Sequence, residues 1–193
     1  MLARVATDAR ARMIGSMQRL LQTKGYSASG LIELVADSHA PKGSIYHHFP
    51  GGKEEIAAAA IRASGAEAAA ATARALAGAR TPAAGLRVVL QWLSDQLASS
   101  NYRYGCPIAT TTLEIASESD VVQEACAEAY KAWHAAIADR LVVDGFRKRP
   151  AEDAATLVLA AMEGALILSR AQRGVRPLKV LADNVRALLD SPR

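Results

Sequence analysis

Apolar residues along this chain recur at intervals of three and four, and nowhere alternate with polar ones long enough to make a strand. Met13, Met17, Leu20 and Leu21 share one face of a helix predicted from about Thr7 to Lys24, with Gly25 closing it. A second helix is predicted from about Ser29 to Ser38, with Leu31, Leu34 and Val35 as its apolar positions. A third, very short helix starts at Pro41 or Lys42 and stops at His48 or Phe49, before the break Pro50-Gly51-Gly52. From Lys53 a long alanine-rich helix extends towards Gly78, and Leu86, Val89, Leu90, Leu93 and Leu97 mark a fifth. Cys106-Pro107 opens a sixth, ending near Ser117, and Val122, Cys126, Ala129, Trp133, Ile137 and Leu141 define the seventh. Pro150 restarts an eighth that lasts to about Gln172, and Leu178, Leu181, Val185 and Leu188 mark a ninth after Pro177. The expected fold is all-α, with three short N-terminal helices (1–52) followed by a larger helical body (53–193).

Composition strengthens the helical reading. The chain is 51% hydrophobic but only 5% aromatic, and much of its apolar content is alanine, the strongest helix former. Ala154 to Leu168 is the longest apolar-rich stretch. It is interrupted by Thr156 and Glu163 and reads as too short to span a bilayer, so no membrane partner is expected. Met1 to Met13 carries Arg4, Arg10 and Arg12 without an apolar core, so no secretory signal is expected and the expected location is the cytoplasm. Cys106 and Cys126 have no metal-binding spacing and read as free thiols. A net charge of +4 leans towards an anionic partner.

The third predicted helix gathers chemistry suited to a nucleic acid. Ile45 and Phe49, four apart, form an inward face, which leaves Lys42, Gly43, Ser44, Tyr46, His47 and His48 for the outside. A cation neutralises phosphate, a glycine lets backbones approach, and hydroxyls and imidazoles reach phosphates or base edges. Ser29 is expected to cap the second helix and aim its amide groups at a phosphate, and Lys53 to clamp another. Adjacent histidines point in different directions on a helix, and no acidic or thiol partner completes a metal site, so neither metal nor cofactor is expected.

Gly25-Tyr26-Ser27-Ala28-Ser29, Leu31 to Ala36, Lys42-Gly43-Ser44-Ile45-Tyr46-His47-His48-Phe49-Pro50 and Lys53-Glu54 together resemble the signature of the tetracycline-repressor (TetR) family. Ala40-Pro41-Lys42-Gly43-Ser44, Phe49-Pro50-Gly51-Gly52-Lys53-Glu54 and Gly105-Cys106-Pro107 are similar to its LmrA/YxaF-like branch. The resemblance implies a helix-turn-helix that binds a double-stranded DNA operator, nine or ten helices, a homodimer, and a C-terminal domain enclosing a small-molecule effector. The chain departs from the family pattern at His39, where the turn between the second and third helices usually carries glycine. A residue there often needs φ > 0, which histidine tolerates less well than glycine.

Beyond Gly52 no Gly-rich phosphate loop, Gly-x-Ser-x-Gly or His-Glu-x-x-His occurs, so no catalytic residues are expected and the chain does not read as an enzyme. The large residues available to line an effector pocket are Trp92, Tyr102, Tyr104, Leu113, Tyr130, Trp133 and His134, which suggests an apolar or aromatic ligand. Trp92 and Trp133 read equally well as plain core, and His134 as a satisfied histidine. Cys106, at a helix start, reads either as a compact residue there or as a redox-sensitive thiol, and Cys126 reads as core. The eighth helix is apolar on nearly every side, so a second subunit is expected to cover what one chain cannot. Leu157, Ala161, Gly164, Ala165, Leu168, Leu181, Val185 and Leu188 are the expected dimer contacts, in a four-helix interface. The resulting function is that of a ligand-responsive repressor on a pseudo-palindromic operator. The alternative is a helical protein-interaction module whose DNA-binding segment no longer works.

Overall fold

A computed structural model describes residues 2–189, and the side chains of these other than 2–8 and 42. The described residues form nine α-helices and no strand: α1 (Leu2–Lys24), α2 (Leu31–Ser38), α3 (Ile45–His48), α4 (Gly52–Ala77), α5 (Pro82–Ser99), α6 (Pro107–Ile115), α7 (Asp120–Val143), α8 (Lys148–Gln172) and α9 (Arg176–Leu189). A 3-10 turn, Lys42–Ser44, leads into α3. The all-helical reading stands, and the differences lie at the ends. α1 begins five residues before Thr7. Pro150 sits inside the first turn of α8, where its missing N–H deprives no carbonyl of a donor.

Packing divides the chain into two compact units, Met1–Gly65 with Pro107–Ala129, and Ala66–Cys106 with Tyr130–Arg193. The change in composition at Gly52 coincides with the start of α4, whereas packing divides within α4 and again within α7.

The first unit is organised around α1, α2 and α3. Met13, Met17 and Leu21 of α1, Leu34 of α2, and Ile45 and Phe49 around α3 are all buried. Polar contacts fix α2 against α1. Asp37 accepts hydrogen bonds from Ser16 Oγ and from Arg19, which hold its carboxyl below the usual carboxylate range, and Lys24 pairs with Glu33. Where α4 passes α7 in this unit, a Cβ on Gly65 would lie 2.6 Å from Ala129 Cα, so only glycine lets the two backbones meet there.

In the second unit α9 lies against α5 and α8. α8 is 25 residues long and, by length and composition alone, is long and apolar enough to cross a membrane, which corrects the shorter span read from Ala154 to Leu168. Its inner face, with Ala155, Val158 and Met162, is buried within the unit, while Leu157, Ile167 and Leu168 are each 52% exposed. This splits the expected dimer stripe. Leu157, Ala160, Ala161, Gly164 and Leu168 face outward to different degrees, and a Cβ on Gly164 would meet nothing. Ala165 and Val185 are buried in their own chain, so these two expected contacts are corrected. Leu181 and Leu188 are half-buried.

Candidate nucleic-acid interface and effector pocket

The turn after α1 sets the geometry of the first unit's outer face. Gly25 has φ +80°, and its N–H bonds Leu21 O at 3.1 Å, the left-handed closure that glycine adopts without strain. A Cβ there would run into the carboxylate of Glu114 on α6, which also accepts the Ser27 N–H at 2.6 Å. Ser29 is not the cap expected of it. Its side chain is fully buried and its hydroxyl donates back to the Gly25 carbonyl, while Gly30 occupies the N-cap of α2 with no side-chain bond. The hydroxyl that would have capped α2 is consumed in finishing α1.

His39 closes α2 at φ 51°, ψ 31°, the left-handed conformation expected at this turn. An L-residue held there costs about 1–2 kcal/mol, and glycine gives back roughly 0.5–1 through unfolded-chain entropy. His39→Gly is therefore expected to stabilise the fold by up to about 1 kcal/mol in chemical denaturation. A loss of stability would show that the turn is not strained.

Beyond this turn, Ile45 and Phe49 are 3% and 0% exposed, while Gly43, Tyr46 and His47 are exposed. Tyr46 is 64% exposed, His47 is exposed, and their neighbour His48 is half-buried with its ring edge-on to His47 at 5.1 Å. Gly43 is exposed and a Cβ on it would meet nothing within 4 Å, so nothing inside the chain requires glycine there. Ser44 Oγ donates to Pro41 O at 2.7 Å and keeps its acceptor capacity. The backbone of Lys42 opens the 3-10 turn, and its side chain lies outside the described residues. Lys53 Nζ sits 4.2 Å over the ring of buried Tyr26, with Glu114 close enough to attract it. Burial pulls the Lys53 ammonium below the usual lysine range, against the opposing pull of Glu114.

In the second unit a cleft of about 210 Å³ lies between α4, α5 and α7. Ala68, Ala71, Thr72 and Ala75 form one wall, Val88, Val89 and Trp92 another, Trp133 completes it, and Arg74 stands at its edge. Trp133 is buried and donates from Nε1 to Thr72 Oγ1 at 2.8 Å, so the polar atom of its ring is satisfied and the ring offers an apolar surface.

The other expected pocket residues are dispersed. Tyr102 lies in a left-handed turn with Asn101, and Tyr104 N–H bonds Ser100 Oγ. His134 Nε2 is within hydrogen-bond distance of Glu152 O and Thr156 Oγ1, the satisfied histidine. Leu113 is 81% exposed on the outside of α6 and lines no part of this cleft, a correction to the expected pocket. Tyr130 is directed to Glu163, whose Oε1 accepts from Tyr130 Oη at 3.3 Å. Thr72 and Glu163 escaped the sequence reading because their partners are distant along the chain. The available signal was an acidic residue inside the apolar stretch from Ala154 to Leu168.

Residues 18–60 match the family described as bacterial regulatory proteins, tetR family, and residues 82–184 match the C-terminal domain of LmrA/YxaF-like transcriptional regulators. The chain belongs to the TetR family, in its LmrA/YxaF-like branch. It is 33% identical to the HTH-type transcriptional regulator LmrA of Bacillus subtilis over 94% of this chain and 97% of that protein. It is 30% identical to the regulator YxaF of the same organism, over 94% and 95%. The fold is shared with a TetR regulatory protein of Rhodobacter sphaeroides, at a TM-score of 0.79 and 22% identity, covering 94% of this chain and 97% of that one. This TetR-family chain is thus a transcriptional regulator with a DNA-binding helix-turn-helix, and not an enzyme.

Proposed function

We propose that this regulator is a cytoplasmic, ligand-responsive repressor that binds a pseudo-palindromic operator as a homodimer and leaves it when a small apolar or aromatic ligand binds. The observation that carries the DNA half is the split of a seven-residue segment. Ile45 and Phe49 are buried, while Gly43, Tyr46 and His47 stand in the open. Lys42, Gly43, Ser44, Tyr46 and His47 form the reading face, with Lys53 contributing charge beside it. Its two halves, the helix-turn-helix of residues 1–52 and the helical body of residues 53–193, act as reader and receiver.

The receiver is the cleft with Trp92 and Trp133, five of whose lining residues belong to α4. A flat aromatic ligand there bears directly on the helix that continues from the DNA-reading segment. Shifting a two-state equilibrium from 1:99 to 99:1 requires about 5.5 kcal/mol of differential affinity, comparable to the burial of two or three large apolar groups at about 1.5–3 kcal/mol each. The homodimer reading is supported by the outward apolar positions of α8, and a two-fold pair presents its reading helices about one DNA turn, ~34 Å, apart.

Fluorescence anisotropy on DNA from upstream of the protein's own gene, against scrambled DNA, tests this. Specific binding is expected to weaken with salt at a slope of about −0.9 per phosphate contacted. Alanine at both Lys42 and Tyr46 is expected to cost about 3 kcal/mol of specific affinity, roughly a hundredfold, with the dimer unchanged. Dissociation of the dimer in that variant, or undiminished binding, would refute the division of labour.

A further inference from the structure

The second unit contains a buried carboxyl that neither the DNA face nor the aromatic cleft uses. Glu163 lies in the middle of α8 among Met162, Gly164, Ala165 and Leu166. Its Oε1 accepts from Tyr130 Oη at 3.3 Å, and the Cys106 thiol donates to the same carboxyl. Its Oε2 is shielded from solvent and has no hydrogen-bond partner. Among the described residues no lysine or arginine pairs with it. Burial raises its pKa above the usual carboxyl range, against the lowering effect of those two donors.

This arrangement is costly if its only role is structural. An ionised carboxylate away from water is stable only when paired, and an unmet acceptor forfeits its hydration. A leucine or methionine would fill the same space without that cost. The geometry supplies half of a recognition pair: an acceptor oriented by a tyrosine hydroxyl, with one oxygen left over. The residue as a whole is only half-buried, although Oε2 itself is shielded.

We propose that Glu163, oriented by Tyr130, is a binding site for the protonated amine of a small-molecule ligand, with Oε2 receiving the ammonium. Cys106 is then a donor to that carboxyl. The inference rests on reading the C-terminal helices as an effector domain, and adds to the aromatic cleft a separate site that takes a cationic nitrogen.

The test uses the full-length protein without DNA. Calorimetry compares 2-phenylethylamine with its neutral counterpart 2-phenylethanol, on the wild type, on Glu163→Gln and on Tyr130→Phe. The wild type is expected to prefer the amine by about tenfold or more, the range of a charge-assisted hydrogen bond. Glu163→Gln, which keeps the shape, is expected to abolish the preference, and Tyr130→Phe to reduce it severalfold with the fold intact by circular dichroism. Equal affinity for the two probes, no binding of either, or a preference that survives in Glu163→Gln overturns the proposal. Should the glutamine variant fail to fold, the wild-type preference and the phenylalanine variant still decide it. Operator release is measured separately. An amine that binds through Glu163 without releasing DNA keeps this site and removes the effector reading, whereas release by neutral aromatics without amine preference does the reverse.

Discussion

Replacing Phe49 with alanine is expected to remove about 3–5 kcal/mol of stability and to abolish specific operator binding at the same time. The size follows from its position. Phe49 is completely buried, and its ring also lies 4.9 Å beneath the guanidinium of Arg10. A cavity the size of a phenyl ring cannot be filled by α3, which has only four residues and no independent helical stability. What holds Tyr46 and His47 outward is the burial of Ile45 and Phe49 on either side of them. Losing one anchor therefore loosens the reading face as well as the core. Ile45→Val provides the scale, since a single methyl group is expected to cost only about 0.5–1.5 kcal/mol. Chemical denaturation and operator anisotropy, run on both variants below their unfolding midpoints, check the pair. A folded Phe49→Ala protein with wild-type operator affinity would mean that α3 is positioned by something other than its two buried side chains.

The same logic explains which parts of this molecule could be read in the sequence. Ile45 and Phe49 were legible because a two-turn segment offers only one way to hide two large apolar residues, and the face opposite them then follows. His39 was legible for a similarly local reason, since a left-handed closure depends on the residue at that position. Ser29 was misread because one hydroxyl has two uses within hydrogen-bond reach, ending α1 or starting α2, and residue type does not choose between them. On α8 the difficulty was phase. A helix apolar all round gives no polar stripe to mark its outside, so Ala161, Gly164 and Ala165 looked alike although Ala165 turns inward. Glu163 was legible only as an acidic residue interrupting an apolar stretch, because its meaning comes from Tyr130 and Cys106, thirty-three and fifty-seven residues away. Leu113 failed in the opposite sense, with a large apolar side chain assigned to a pocket although α6 leaves it in the open.

Introducing glutamate at both Leu157 and Leu168 is expected to yield a folded monomer whose affinity for the full operator falls by about a thousandfold, to the level of its binding to unrelated DNA. Both side chains are half exposed in the single chain, so the substitutions meet water rather than core in the monomer and leave its stability within about 0.5 kcal/mol. In a dimer closed across α8 the two-fold axis brings each glutamate near its own copy, and burying unpaired carboxylates costs several kcal/mol per charge. The consequence for DNA follows from counting phosphates. A dimer contacts two half-sites and releases counterions from both, whereas a monomer contacts one, so the slope of log affinity against log salt should fall by about half. Sedimentation equilibrium reads the assembly, and salt-dependent anisotropy reads the contacts. If the double variant remains a dimer, the subunits associate through another face and the exposed leucines of α8 have a different use. If it is a monomer yet keeps the full salt slope and affinity, one copy suffices for the operator, and two-fold recognition is wrong for this regulator.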